Sequence, residues 1–126
     1  MPWAERRQSV RYAVERCTAL YRRRRLFFFW EKHPNSAPVV DLSAQGIGFY
    51  TKRRLHPGNI IRIAFDMPND LCTIPPGVEV RAEVSWVNPA QGEPGLFRVG
   101  CAFRRLEPEQ HDLITRIIQF GVVRRQ

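Results

Sequence analysis

The stretch VEVRAEVSWV, Val78 to Val87, limits the possible folds more than any other part of the chain. On an extended backbone Val78, Val80, Ala82, Val84 and Trp86 share one face, and Glu79, Arg81, Glu83 and Ser85 share the other. Successive side chains of a strand point to opposite faces, so this is a strand with one side buried and one in water. IIRIAF repeats the pattern with Ile61, Ile63 and Phe65 inward, and LFRVGCAF repeats it with Phe97, Val99, Cys101 and Phe103 inward. Between them lie HPGN at 56–59, PPG at 75–77 and NPAQGEPG at 88–95, all rich in residues that favour turns. Short alternating strands joined in this way predict an antiparallel sandwich or a closed barrel. Earlier strands are expected around 10–20, 26–32, 37–42 and 46–51.

The period changes near the end. Leu113, Ile114, Ile117, Ile118 and Gly121 recur at helical spacing, Pro108 suits a first turn, and Glu109 complements the helix dipole there. A helix over about 108–121 is expected to lie across an open end of the barrel. At 126 residues the chain has the length of one domain, large enough to bury a core without staples. Cys17, Cys72 and Cys101 are odd in number and widely spaced, which suits neither a disulfide framework nor a metal knuckle. A reducing, cytoplasmic location is expected, and LFFFW is too short to span a bilayer.

The formal net charge of +8 calls for an anionic partner without naming one. Two local patterns narrow the choice. Arg7 and Arg11 form R-x-x-x-R, with Arg6 beside them, ahead of the first strands. Guanidinium bonds bidentately to phosphate oxygens and to the O6/N7 edge of guanine, although such a run also serves as a solvated basic terminus. The second pattern is DLSAQG. Asp41 can accept from amino and imino donors, the Ser43 hydroxyl donates and accepts, and Gly46 allows close approach to the backbone. Taken alone it is also an everyday strand-to-strand turn.

R-x-x-x-R followed by D-x-S-x-x-G, the alternating strands and a closing helix resembles a PilZ domain from about Glu5 to Phe120, with GIGFY, HPGNIIRIAF and FRVGCAF as supporting context. The resemblance implies an all-β fold with a C-terminal helix, a six- to seven-stranded antiparallel β-barrel of the split type. It implies a basic arm at 1–12, a barrel over about 13–106 and the helix after it. It also implies a non-enzymatic receptor for the second messenger cyclic di-GMP, needing no cofactor. Arg7 and Arg11 would engage guanine edges and phosphates, and Asp41, Ser43 and Gly46 would hold the ligand on the barrel. Arg6 is compatible with the family's mode of binding a stacked pair of ligand molecules. Ordering of the arm would signal to a downstream protein in motility, adhesion, exopolysaccharide or virulence control.

YRRRRLFFFWEK departs from clean alternation. Arg22 to Arg25 precede Phe27, Phe28, Phe29 and Trp30, and half of that apolar run would face away from the core unless the helix or a loop covers it. Alternatively it is a partner surface flanked by a basic turn. Two other functions are consistent with the sequence: a PilZ-like interaction module without nucleotide, and a small basic barrel binding RNA or single-stranded DNA, with nucleic acid ranked below cyclic di-GMP. No nucleophile and base occur in a recognisable pattern, and His33, His56 and His111 stand in no metal motif, so neither an enzyme nor a metal site is expected.

Overall fold

The computed structural model describes residues 10–25, 29–68 and 73–121. Eight strands and a helix follow in chain order: β1 (Tyr12–Ala13), β2 (Thr18–Arg25), β3 (Phe29–Trp30), β4 (Asn35–Leu42), β5 (Gly46–Thr51), β6 (Ile60–Asp66), β7 (Val80–Pro89), β8 (Phe97–Arg104) and α1 (Pro108–Gly121). The sheet runs β1-β4-β5-β8-β7-β6-β2-β3, and β4 also pairs with β2. That additional pairing closes β2, β4, β5, β8, β7 and β6 into a six-stranded antiparallel barrel, with β1 and β3 as short extra strands. Closure removes the exposed edges that an open sheet of this size would carry.

The alternating residues fill the interior as their spacing predicts. Ile61, Ile63, Val80, Ala82 and Val99 are fully buried, and Val84, Cys101 and Phe65 nearly so. Burying each large aliphatic side chain stabilises the fold by roughly 1.5–3 kcal/mol. Tyr21 of β2 packs its ring 5.3 Å from that of Phe49. Its hydroxyl lies 2.8 Å from the Thr51 Oγ1, which satisfies both buried groups. Burial pushes the Tyr21 phenol above its ordinary pKa, with the Thr51 hydrogen bond acting the other way.

α1 contributes Leu113, Ile114 and Ile117 to the same core. Gln110 fixes its start: the side-chain oxygen accepts from the Glu107 N–H at 2.7 Å, and Nε2 donates to the Glu79 carbonyl at 2.6 Å. No helix among the described residues is long and apolar enough to cross a membrane.

Three expectations need correction. The strand expected at 10–20 is split: β1 is a two-residue strand, and β2 starts only at Thr18. Arg22–Arg25 belong to β2 and form no basic turn, because Arg22 and Arg23 pair in register with Arg62 and Ile61 of β6. Strict alternation places Trp86 inward with Val84. A register shift between Val84 and Trp86, opposite Cys101 and Gly100, turns the indole to the outer face.

Candidate functional site

On the barrel's outer face one row of residues runs across four adjacent strands. Asp41 of β4 is the register partner of Gly48 of β5, Gly48 that of Gly100 of β8, and Gly100 that of Trp86 of β7. With two glycines between a carboxylate and an indole, the row is a shallow trough whose backbone floor is covered by the side chains of Arg98, Asp41 and Trp86. A β-carbon at Gly48 would come within 2.5 Å of Arg98 Nη1 and 2.6 Å of Asp41 Oδ1. One at Gly100 would collide with the indole of Trp86. Each glycine is present because another side chain occupies the space above it.

Two arginines grip the carboxylate. Arg11 Nη1 donates to Asp41 Oδ1 at 2.8 Å, and Arg98 Nη2 donates to Asp41 Oδ2 at 3.0 Å. These charge-assisted bonds come from different elements, the segment before β1 and the start of β8. The Arg98 guanidinium also lies 5.5 Å from the Trp86 ring centroid and 5.7 Å from that of Tyr50, within cation–π range of both. Its Nη1 is buried and makes no hydrogen bond among the described residues, so a strong donor here is unspent. Two guanidiniums against one carboxylate leave the trough positive.

The turn from β4 to β5 aims Asp41. Ser43 is fully buried, and its Oγ accepts from the N–H groups of Gln45 and Gly46, both at 3.1 Å. The Ser43 N–H donates to the Gly46 carbonyl at 2.9 Å. Serine suits this position because a short hydroxyl can cap the turn's amides from within. Gly46 is packed against the Cys101 carbonyl, with Arg11 Nη2 3.5 Å from where its β-carbon would stand. Cys101 lies beneath, its thiol pKa pushed up to about 12 by burial while Arg11 pulls the other way.

The structure therefore brings Arg11, Asp41 and Gly46 together and places the Ser43 hydroxyl inside the turn that carries them. Arg6 and Arg7 lie outside the described residues, as do Phe27 and Phe28. Phe29 and Trp30 are elsewhere, on β3. Phe29 is 70% exposed, whereas Trp30 has the guanidiniums of Arg62 and Arg81 at 5.0 and 5.6 Å from its ring centroid. Sequence reasoning missed Arg98, Trp86, Tyr50, Gly48 and Gly100. The signal available was the glycines themselves: a glycine inside an otherwise well-formed strand marks a bulge or a close approach.

The model of the PilZ domain family matches residues 5–120. The chain belongs to the PilZ domain family. Among solved structures, a PilZ domain with c-di-GMP, that of YcgR from Escherichia coli, is similar to this one, with a TM-score of 0.63 and 17% identity over 90% of this chain and 89% of that chain. At that identity the likeness concerns the fold, the closed barrel with its added strands and helix. No curated protein sequence matches. In this PilZ domain the R-x-x-x-R and D-x-S-x-x-G motifs meet, among the described residues, where Arg11 bonds Asp41.

Proposed function

We propose that this PilZ domain is a receptor for cyclic di-GMP and performs no reaction on it. The observation that carries the reading is the Asp41 carboxylate held between Arg11 and Arg98 at the rim of a glycine-floored trough. A carboxylate accepts from the N1–H and N2–H donors of a guanine edge, and guanidinium donates to O6 and N7 or to phosphate. A planar base would meet the side chains that lie over Gly48 and Gly100, with the Arg98 guanidinium and the part-exposed indole of Trp86 as its contact surface. The unspent Arg98 donor adds a further attraction for a phosphate.

In this scheme Arg11 exchanges part of its bond to Asp41 for bonds to the ligand, and Arg6 and Arg7 follow from the same arm. Ser43 acts by holding the turn, and Gly46 by admitting Arg11. The arm, residues 1–12, takes up one arrangement over the bound nucleotide, and that new surface is what a downstream protein reads. The reading of the barrel as an RNA or single-stranded DNA binder has less support: it needs several free aromatic platforms, and Trp30 already has two guanidiniums within cation–π distance.

Backbone and indole amide NMR during a cyclic di-GMP titration tests the placement. Resonances of Arg11, Asp41, Gly48, Gly100 and the Trp86 indole should move together and saturate. Saturable shifts confined to β3 and α1, with these five unmoved, would overturn it.

A further inference from the structure

A second basic feature lies at the other end of β8. Arg22 is the register partner of Arg62, Arg62 that of Arg81, and Arg81 that of Arg104, so four arginines stand in line across β2, β6, β7 and β8. Like charges directly opposite each other on a sheet are unfavourable. The fold offsets part of this: Arg62 pairs with Glu79 at 2.6 Å and Arg104 with Glu83 at 3.4 Å, and the Trp30 ring lies under Arg62 and Arg81. Beside the ladder is a cavity of about 420 Å³, lined by Arg24, Arg81, Arg104, Arg105, Glu107 and Gln110 with Ile60. Arg105 reaches it from a left-handed backbone conformation, φ 44°, which is costly for any residue but glycine. The lining therefore sets four guanidiniums against the one carboxylate of Glu107. Arg98 and Arg104 are six residues apart on one strand, so this cleft is about 20 Å from the Asp41 trough.

We infer that the cleft between Arg24, Arg81, Arg104 and Arg105 is a second anion site, built for a phosphate-bearing small molecule. The guanidiniums come from β2, β7, β8 and the segment after β8, and so converge from different directions. A tetrahedral phosphate can accept from several such donors at once, whereas a planar carboxylate offers two edges. The neighbouring carboxylates, Glu79 just before β7 and Glu83 within it, sit on Arg62 and Arg104, and Arg24 and Arg105 make no ion pair among the described residues. The cavity has the size of a small-molecule site and not of an extended chain's groove. The inference is independent of the cyclic di-GMP reading, since the two sites share no residue.

Isothermal titration of the whole chain with inorganic tripolyphosphate, at physiological ionic strength, is the test. Saturable one-to-one binding is expected, weakened about tenfold or more in Arg81→Gln/Arg104→Gln and less in Arg81→Lys/Arg104→Lys, which keeps the charge but loses the fork. The lysine variant gives the reading if the glutamine variant does not fold. Arginine Nε–H resonances followed in parallel should shift at Arg24, Arg81, Arg104 and Arg105. Shifts at Arg11 and Arg98 in their place would put the polyphosphate in the nucleotide trough and overturn the inference. Undiminished binding by the glutamine variant would do the same, as would tighter binding of a hexaglutamate peptide, which would assign the cleft to an acidic protein segment.

Discussion

The indole of Trp86 lies across Gly100, its register partner on β8, so closely that no β-carbon fits at residue 100. The shift in pairing after Val84 makes this possible, because it moves Trp86 from the interior to the outer face, where Arg98 stands over the ring. One extra residue in a strand thus converts a core position into a wall of the candidate site.

Gly100→Ala should force the ring away. Overpacking of this kind costs about 1–3 kcal/mol. Denaturant unfolding should show that loss, with a red-shifted tryptophan emission and weaker nucleotide binding. A variant with unchanged stability and unchanged emission would mean that the indole does not need this seat.

That glycine also marks where the sequence stops being legible. Inward sets on β6 and β8 follow from alternation alone, since Ile61, Ile63, Phe65, Val99 and Cys101 are all buried, and the helical stripe of Leu113, Ile114 and Ile117 is equally plain. Arg11, Asp41 and Gly46 could be picked out because their motifs are local. Arg98 and Trp86 could not, because what joins them to Asp41 is cross-strand register between β4, β5, β8 and β7, and a bulge on β7 reverses the face. The strand character of Arg22 to Arg25 is hidden for the same reason. A run of four arginines has no period, and it becomes a strand only through pairing, Arg22 and Arg23 with β6 and Arg24 and Arg25 with β3.

Arg98→Lys tests the shared use of one guanidinium. A lysine keeps the charge but cannot both bond Asp41 side-on and lie flat against Trp86 and Tyr50. A stability loss of about 1 kcal/mol is expected, in line with a charge-assisted bond and cation–π contact at a partly exposed position. Cyclic di-GMP affinity should fall about tenfold. Equal affinity in the lysine variant would remove Arg98 from the site.

Glu31 gives a pH signature away from the site. Burial alone would raise its carboxyl pKa, but bonds from Arg53 and the Arg23 backbone N–H, with the charges of both arginines, outweigh it and hold the value below the ordinary 4.5. The lowered folded-state pKa means that this contribution to stability is present above about pH 4.5 and is lost as pH falls through the folded value. Denaturation midpoints between neutral and acid pH should decline less steeply in Glu31→Gln than in the native chain. Identical slopes would contradict the assignment.

The Cys101 thiol should be inert in the folded protein. With its pKa pushed up to about 12 by burial, almost none is thiolate near neutrality, and the thiolate is the reactive form. Because the folded value is raised above 9.0, the associated stability is complete below about pH 9 and is lost as pH rises toward 12. Iodoacetamide labelling followed by mass spectrometry should modify Cys101 only as fast as the fold opens. Prompt labelling under native conditions would contradict its placement beneath Gly46.

The central claim is tested most directly by isothermal titration calorimetry of the native chain with cyclic di-GMP beside cyclic di-AMP, repeated with Arg11→Ala and Asp41→Ala. The account predicts saturable binding of the guanine ligand, little of the adenine one at any salt concentration, and loss of binding in both variants. No heat with cyclic di-GMP, or equal binding of the two dinucleotides that fades together as salt is raised, would contradict it.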